Sequence, residues 1–356
     1  VTAPTIRAYP ADLGGCGSYR VIWPGQELAR QGAPVTVVMP SDDGQIQAQW
    51  HEQGDERTVV DVLAPEADIV VIQRPLTQGL ADAVPILQAK GVRVAVEIDD
   101  DFEVISPRNV SWAAVQPHLH PERNKAHLMR ACLAADVVVC STPALAARYA
   151  PHGRFAVVRN RVPAWYLSVE REPRDGVYVG WSGSIETHPD DLQVTGGGVA
   201  RAVKATGAQF AVVGTGRGVR KALGLATEPT ACGWVPIGRY PYMVAQLDIG
   251  IVPLELTPFN AAKSALKMME MAALGVVPIV SPTPENEALW GVGSWSLVDS
   301  PRQWEGKVKR LARDTEMRLA MAERNRAGMR LHTIEGNAEE WLAAWSKAAV
   351  NTRTGR

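Results

Sequence analysis

Short runs of β-branched and aliphatic residues punctuate the chain at 35–39, 69–72, 92–98, 137–140 and 156–159. The rhythm continues at 177–181, 209–213, 249–253, 277–280 and 295–298. Each run is apolar on both faces, and the stretches between are longer and amphipathic. This alternation predicts parallel strands covered by helices on both sides, and so two doubly wound α/β domains. Residues 167–176, LSVEREPRDG, are charged and contain Pro173 and Gly176. They read as an interdomain linker. The expected organisation is thus a first domain over 1–166, a linker over 167–176, a second domain over 177–330, and a C-terminal helix and tail over 331–356. The amphipathic helix predicted in that tail carries Trp341 and Trp345 and needs a partner for its aromatic face.

The densest chemistry lies in residues 259–278, FNAAKSALKMMEMAALGVVP. At 100° per residue a single helix here places Lys263, Lys267 and Glu270 within about 60° of one another. Two cations beside a helix N-terminus suit a diphosphate, and a carboxylate one turn on suits ribose hydroxyls. The same spacing equally fits a solvated face bearing an ordinary Lys/Glu pair.

Other candidates sit where predicted strands end, the position at which open α/β sheets bind ligands. Gly14, Gly15, Cys16, Gly17 and Ser18 precede a predicted helix and read either as a backbone approach for a ligand or as a plain turn. Asp99, Asp100 and Asp101 follow the 92–98 strand. Three carboxylates there suit a metal, substrate hydroxyls or mutual pKa shifts, or they are a helix cap with solvated acids. Ser182, Gly183 and Ser184 follow the 177–181 strand and lead to His188, with amides suited to a phosphate. Gly214, Gly216 and Gly218 lack the G-x-G-x-x-G spacing, and no acidic residue closes a second strand at the right distance. His118, His120 and His127 are candidates for a general base or are packed and surface residues.

With 46% hydrophobic and 21% charged residues and a formal net charge of -1, the chain reads as globular, with no basic tail for nucleic acid. Cys16, Cys132, Cys140 and Cys232 follow no metal or disulfide spacing, which fits a reduced, cytoplasmic protein. No run approaches the roughly 18 apolar residues of a spanning helix, so membrane contact is expected only at the periphery. Walker, Gly-x-Ser-x-Gly and His-Glu-x-x-His motifs do not occur, which removes support for kinase, hydrolase and metalloprotease readings.

Taken together these segments resemble the GT-B glycosyltransferases, and among them the retaining, family-4-like group. The resemblance is carried by GGCGSYRVIWPGQELARQGAPVTVVMP, ACLAADVVVCSTPALAARYAPHGRFAVVRNRVP, VYVGWSGSIETHPDDL and, most specifically, FNAAKSALKMMEMAALGVVPIVS. It implies two Rossmann-like domains facing across a cleft, and transfer of a sugar from a UDP- or GDP-linked donor to an acceptor hydroxyl. It makes Gly183 and Ser184 part of the phosphate environment, His188 a further donor-binding residue, Lys263 and Lys267 the diphosphate partners, and Glu270 the ribose acceptor. Many relatives carry a glutamate eight positions before the one matched by Glu270. Here that position is Ala262, so the sugar contact is expected from Asn260 or the backbone of residues 259–261, Ala261 included. Gly15, Gly17, Asp100, His118 and His120 become the acceptor side, with Asp99 and Asp101 orienting the acceptor. No metal or other cofactor is expected, because the lysines neutralise the diphosphate. The acceptor stays open among glycan, lipid, protein and nucleobase. An epimerase or phosphorylase on the same fold, or a catalytically silent nucleotide-sugar-binding protein, is the competing reading.

Overall fold

A computed structural model of the protein describes residues 3–40, 46–53, 56–63, 66–289 and 291–350. Tail residues 351–356 and the first two residues, which fall in the expected outer segments, lie outside them. The chain divides into two compact units. Unit 1 draws on the described parts of Val1–Ile105, Ser111–Asn160 and Asn337–Arg356, and unit 2 on Ser106–Val110 and Arg161–Gly336.

Unit 1 is built on a parallel sheet of β1 (Ile6–Tyr9), β2 (Val35–Val37), β5 (Ile69–Gln73), β6 (Arg93–Ile98), β7 (Val137–Cys140) and β8 (Phe155–Val157), in the order β2-β1-β5-β6-β7-β8. The register pairs Ile6 with Ile69 and Ala95 with Val137. Between β2 and β5, β3 (Ala48–Gln53) and β4 (Glu56–Val62) form an antiparallel ribbon, irregular between Gln49 and Trp50. Helices return the chain between strands and begin where side chains cap them. Thr77 accepts from the Leu80 amide at the start of Gln78–Ala89, and Asn124 accepts from the Ala126 and His127 amides at the start of Lys125–Ala134.

The core of unit 1 explains the C-terminal helix, Ile334–Val350. Trp341 and Trp345 are fully buried against Ile6, Leu28, Val71 and Val139. This supplies the partner that the aromatic face required. A buried polar knot fixes the placement: Arg20 donates to Glu97 Oε2 (2.9 Å), to the Val158 carbonyl (2.6 Å) and to Asn160 Oδ1 (2.9 Å). Trp345 Nε1 donates to Glu97 Oε1 at 2.9 Å.

Unit 2 repeats the plan. Its sheet contains β9 (Tyr178–Gly183), β10 (Gln209–Gly214), β11 (Thr230–Ala231), β12 (Ile249–Val252), β13 (Val277–Val280) and β14 (Ser296–Leu297). All pairs are parallel, in the order β11-β10-β9-β12-β13-β14. The order therefore reverses between β9 and β12, the switch point at which such sheets leave a crevice beyond the strand ends. Val179, Ile251, Val277 and Ile279 pack with Trp304, Val308 and Leu311 of the helix Pro301–Arg313. Each fully buried aliphatic side chain of this kind contributes about 1.5–3 kcal/mol.

The unit boundary falls at Asn160/Arg161, ahead of the expected linker over 167–176. That segment is tied into unit 2 because Arg171 donates two bonds to Asp248 (2.7 and 2.9 Å), which also accepts from the Tyr178 amide (2.8 Å). Residues 331–356 are likewise divided rather than separate: the chain through Gly336 belongs to unit 2, and the described residues from Asn337 onward belong to unit 1.

Candidate functional site

The segment expected as one helix over 259–275 folds as two, Pro258–Ala261 and Leu266–Ala273. Thr257 caps the first, and Ala262 to Ala265 turn before the second begins. Lys263 therefore sits in the turn, whereas Lys267 and Glu270 keep their helical i, i+3 relation. Its ammonium lies 4.4 Å from the centroid of the Phe259 ring.

Glu270 is 2% exposed. Its Oε2 accepts from the Tyr240 hydroxyl at 2.9 Å and lies 3.7 Å from Lys267 Nζ. Lys267 donates to the same hydroxyl at 3.0 Å, and Ser182 Oγ at the end of β9 lies 3.1 Å from it. Burial, then the Glu270 carboxylate, push the Tyr240 phenol up to about 12. Burial acts to lower the pKa of Lys267, but the Tyr240 and Glu270 oxygens outweigh it and hold the ammonium above its ordinary value. At neutral pH Tyr240 is thus a phenol and Lys267 a cation. With its side chain 42% exposed, Lys267 presents that cation to solvent from a fixed base. Tyr240 was not among the residues expected from sequence, since a lone tyrosine in GRYPYM carries no pattern.

Around the same strand ends, His188 Nδ1 lies 2.7 Å from Asp191 Oδ2. Asp191 Oδ1 accepts from Asn260 Nδ2 at 2.7 Å and from the Glu255 amide at 2.9 Å. Asn260 is buried and anchors Asp191 and the Glu255 carbonyl, and its Oδ1 is buried with no partner. Ala261 ends the first short helix beside it. Ser184 Oγ accepts from Thr215 Oγ1 (3.0 Å) and from the Glu186 amide (3.2 Å). The glycine ends of β9 and β10 are sterically required. A Cβ on Gly214 (φ +131°) would stand 2.2 Å from the Gly183 carbonyl oxygen, and one on Gly183 (φ +154°) would meet the Trp181 ring at 2.9 Å. The structure thus brings Gly183, Ser184, His188, Asn260, Lys267 and Glu270 into one unit around β9, β10 and β12.

The acidic triplet belongs to unit 1. Arg74, at the end of β5, donates from Nε to Asp99 and from Nη2 to Asp100 (2.9 Å). Among the described residues it is the only non-glycine with positive φ, +48°. Such a backbone costs roughly 1–3 kcal/mol and persists where its surroundings fix it. Here two carboxylates and the Phe102 ring (5.2 Å to its centroid) hold the guanidinium. Asp101, expected to orient an acceptor, is 3% exposed and turned inward, accepting from Arg148 Nε (2.8 Å) and the Glu103 amide (3.2 Å). Burial raises its pKa, with Arg148 opposing. Its carboxylate is thus engaged within the loop by Arg148 and the Glu103 amide.

At the glycine loop, Asp12 Oδ1 accepts from the Gly14 (2.8 Å) and Gly17 (3.1 Å) amides, so these amides already have an internal carboxylate. Gly17 must be glycine, because a Cβ there would lie 1.8 Å from the Asp12 carbonyl oxygen, whereas Gly15 has open space. Beside this loop a cavity of about 1130 Å³ is lined by Asp12, Trp50, Gln73, Arg74, Phe102 and Arg123, among others. Its Gln73, Arg74 and Trp50 were missed in the sequence, as single residues outside any spacing pattern. His118 and His120 are exposed on the loop beyond it and do not line it. Among the described residues no group of three or more His, Cys, Asp or Glu side chains is arranged to hold a metal ion, and no helix is long and apolar enough to cross a membrane.

Residues 199–343 match a family described as glycosyl transferase-like. The match takes in Tyr240, Asn260, Lys263, Lys267 and Glu270 and leaves out unit 1's cavity. The fold is GT-B. A glycosyltransferase from Rickettsia africae superposes with a TM-score of 0.65 at 10% identity, covering 99% of this chain and 100% of that one. An α,α-trehalose-phosphate synthase (UDP-forming) from Burkholderia vietnamiensis gives 0.59 at 13% identity, covering 97% and 99%. The Anabaena protein HepE, in complex with UDP-glucose, gives 0.58 at 12% identity, covering 96% and 98%. No curated protein sequence matches the chain. At these identities the structural likeness speaks for the GT-B fold, and the chemistry rests on the side chains described above.

Proposed function

We propose that the protein is a glycosyltransferase that moves a sugar from a UDP- or GDP-linked donor to an acceptor hydroxyl, with retention of configuration at the anomeric carbon. The observation that carries this reading is the Tyr240–Lys267–Glu270 cluster at the switch point of unit 2, inside the region that matches the glycosyl transferase-like family. Glu270 is held in place to accept ribose hydroxyls, and Lys267 is held protonated to meet the diphosphate. Lys263 adds a second cation from the preceding turn. The UDP-glucose complex of HepE makes UDP-glucose the first donor to try.

In the reaction, the bond from the anomeric carbon to the diphosphate oxygen breaks as the acceptor oxygen bonds to the same face. The acceptor proton passes to the departing phosphate oxygen, so no separate base is required. Negative charge grows on the diphosphate, and each well-placed donor in such a site is worth about 3–4 kcal/mol. The lysines supply this neutralisation, so the reading calls for no metal or other cofactor. The cavity of unit 1, polar along Asp12, Gln78 and Arg123 and apolar at Trp50 and Phe102, suits an acceptor that offers hydroxyls and an apolar face. The free thiols of Cys16, Cys132, Cys140 and Cys232 suit a reducing compartment, and we place the protein in the cytoplasm.

The second reading, a silent nucleotide-sugar-binding protein, draws on Ala262, which is buried and offers no carboxylate. Thermal shifts with UDP-, GDP-, ADP- and dTDP-glucose, on wild type and Lys267→Ala, separate the possibilities when paired with release of nucleoside diphosphate. A ligand at about 100 times its Kd stabilises by about 2.7 kcal/mol. Stabilisation by one nucleotide class, lost in the variant and accompanied by turnover, supports the transferase. Binding without turnover on any acceptor favours the silent reading, and no shift with any donor sinks both.

A further inference from the structure

We propose that His188 takes up a proton when a nucleoside-diphosphate sugar binds beside Lys263 and Lys267, and so supplies a third positive charge to that site. This inference rests on the donor reading of unit 2 and adds proton linkage to it.

The geometry assigns the titrating atom. A carboxylate only accepts, so the 2.7 Å contact to Asp191 Oδ2 keeps a proton on His188 Nδ1 in either charge state and leaves Nε2 as the nitrogen that gains or loses one. Asp191 is buried and held by Asn260 Nδ2 and the Glu255 amide, so this partner does not swing away. The imidazole is 22% exposed, and its edge faces the Trp181 ring at 6.4 Å between centroids.

The charged groups around the ring come from three places. Asp191, on its own turn, favours the imidazolium, and Lys263 from the turn after residue 261 and Lys267 from the following helix oppose it. Asp190, next to Asp191, is engaged by Arg108 at 2.5 Å, and Glu255 approaches only through its backbone amide. Burial comes first among the influences and, with the two lysines, holds His188 below the ordinary histidine value despite Asp191. In the free protein the ring is therefore neutral at pH 7.

A nucleotide sugar carries two negative charges on a diphosphate diester, and neither titrates near neutrality. Placed against the two lysines, it cancels their repulsion and adds attraction, so the imidazolium becomes the favoured form. One proton then comes from solvent, and Nε2–H becomes a charged hydrogen-bond donor to a phosphate oxygen. By linkage, donor affinity falls as pH rises: uptake of about half a proton corresponds to roughly threefold weaker binding per pH unit.

The test is calorimetric titration of the full chain with UDP-glucose, and separately with GDP-mannose, at pH 7 in buffers of different ionisation enthalpy. The ligand diesters contribute no proton of their own, so the slope of heat against buffer enthalpy reports the protein. Uptake in wild type and none in His188→Gln, each titrated to saturation with weaker binding in the variant, is the expected result. Equal uptake in both, or none in either, overturns the inference while leaving the donor reading intact. Failure of both ligands to bind the wild type overturns the two together. A second readout needs no variant: the His188 side-chain resonances of wild type should move from neutral to imidazolium values on saturation with donor, and a ring that stays neutral refutes the linkage.

Discussion

Two clusters of charge, one at the end of β6 in unit 1 and one around the end of β9 in unit 2, behave in opposite ways. In unit 1 the carboxylates are met by arginines from the same unit: Glu97 by Arg20, Asp99 and Asp100 by Arg74, and Asp101 by Arg148. In unit 2, around the end of β9, Lys267 shares Tyr240 with a single buried carboxylate, and Lys263 stands beyond it. Similar sheets thus carry one set of charges that locks structure and another that meets solvent as a partly exposed cation. The lesson is that residue type at a strand end is a poor guide to chemistry until its partner is known. Three carboxylates in a row suited a metal, substrate hydroxyls or a cap, and Asp101 is bonded to Arg148 and the Glu103 amide.

Breaking the locked set should have the largest effect. Glu97→Ala leaves Arg20 buried without its counterion, and removal of one partner from such a pair costs about 3–5 kcal/mol. Urea unfolding should register that loss in unit 1, and a change below about 1 kcal/mol would show that the pair is not a lock. Lys267→Ala should reverse the profile, with a smaller loss of stability than Glu97→Ala because Glu270 keeps its Tyr240 hydrogen bond, and a fall in kcat of about 10²–10³-fold, read by nucleoside diphosphate release with acceptor present. Equal loss of stability in both variants would erase the contrast between the units.

The smallest effect sharpens the comparison through pH. Burial acts to raise the pKa of Asp248, but Arg171, the Tyr178 amide and Arg318 outweigh it and hold the carboxyl below its ordinary value. A carboxyl depressed in the folded state stabilises fully above its unfolded pKa of about 3.9, and that contribution disappears as pH falls through the folded value. Wild type should therefore exceed Asp248→Asn in stability by about 1–2 kcal/mol at pH 6, and the two should converge under acid. Glu97, which burial pushes upward against Arg20 and Trp345, should give no such acid convergence in its own variant. Stability measured by denaturant across that range distinguishes the two behaviours.

Much of the fold was legible because parallel strands buried on both faces read as continuous apolar runs. The 69–72, 137–140, 249–253 and 277–280 runs lie on β5, β7, β12 and β13. β1, only four residues with Arg7 at its second position, and β11, two exposed residues, offered no such run. The β3–β4 ribbon, AQWHEQ paired with ERTVVDV, alternates with polar residues and was likewise silent. At the site, the Lys/Glu spacing located the right segment, but its turn at 262–265 was hidden because alanines and a serine suit helix and turn alike. Tyr240, Arg74 and the Asp191–Asn260 pair depend on contacts between distant segments, which spacing does not encode.

The helix Ile334–Val350 carries a further consequence for how the protein is made. Synthesis delivers the strands of unit 1 before unit 2, and Trp341 and Trp345 only after the whole of unit 2. Until then Glu97 on β6 and Arg20 on the helical segment Ser18–Ile22 lack the indole of Trp345 that completes their buried cluster. The nascent first unit must wait with apolar strands uncovered, and a chain halted on the ribosome before Trp341 should be cut by protease within residues 3–160, whereas one in which residues 334–350 have emerged should resist.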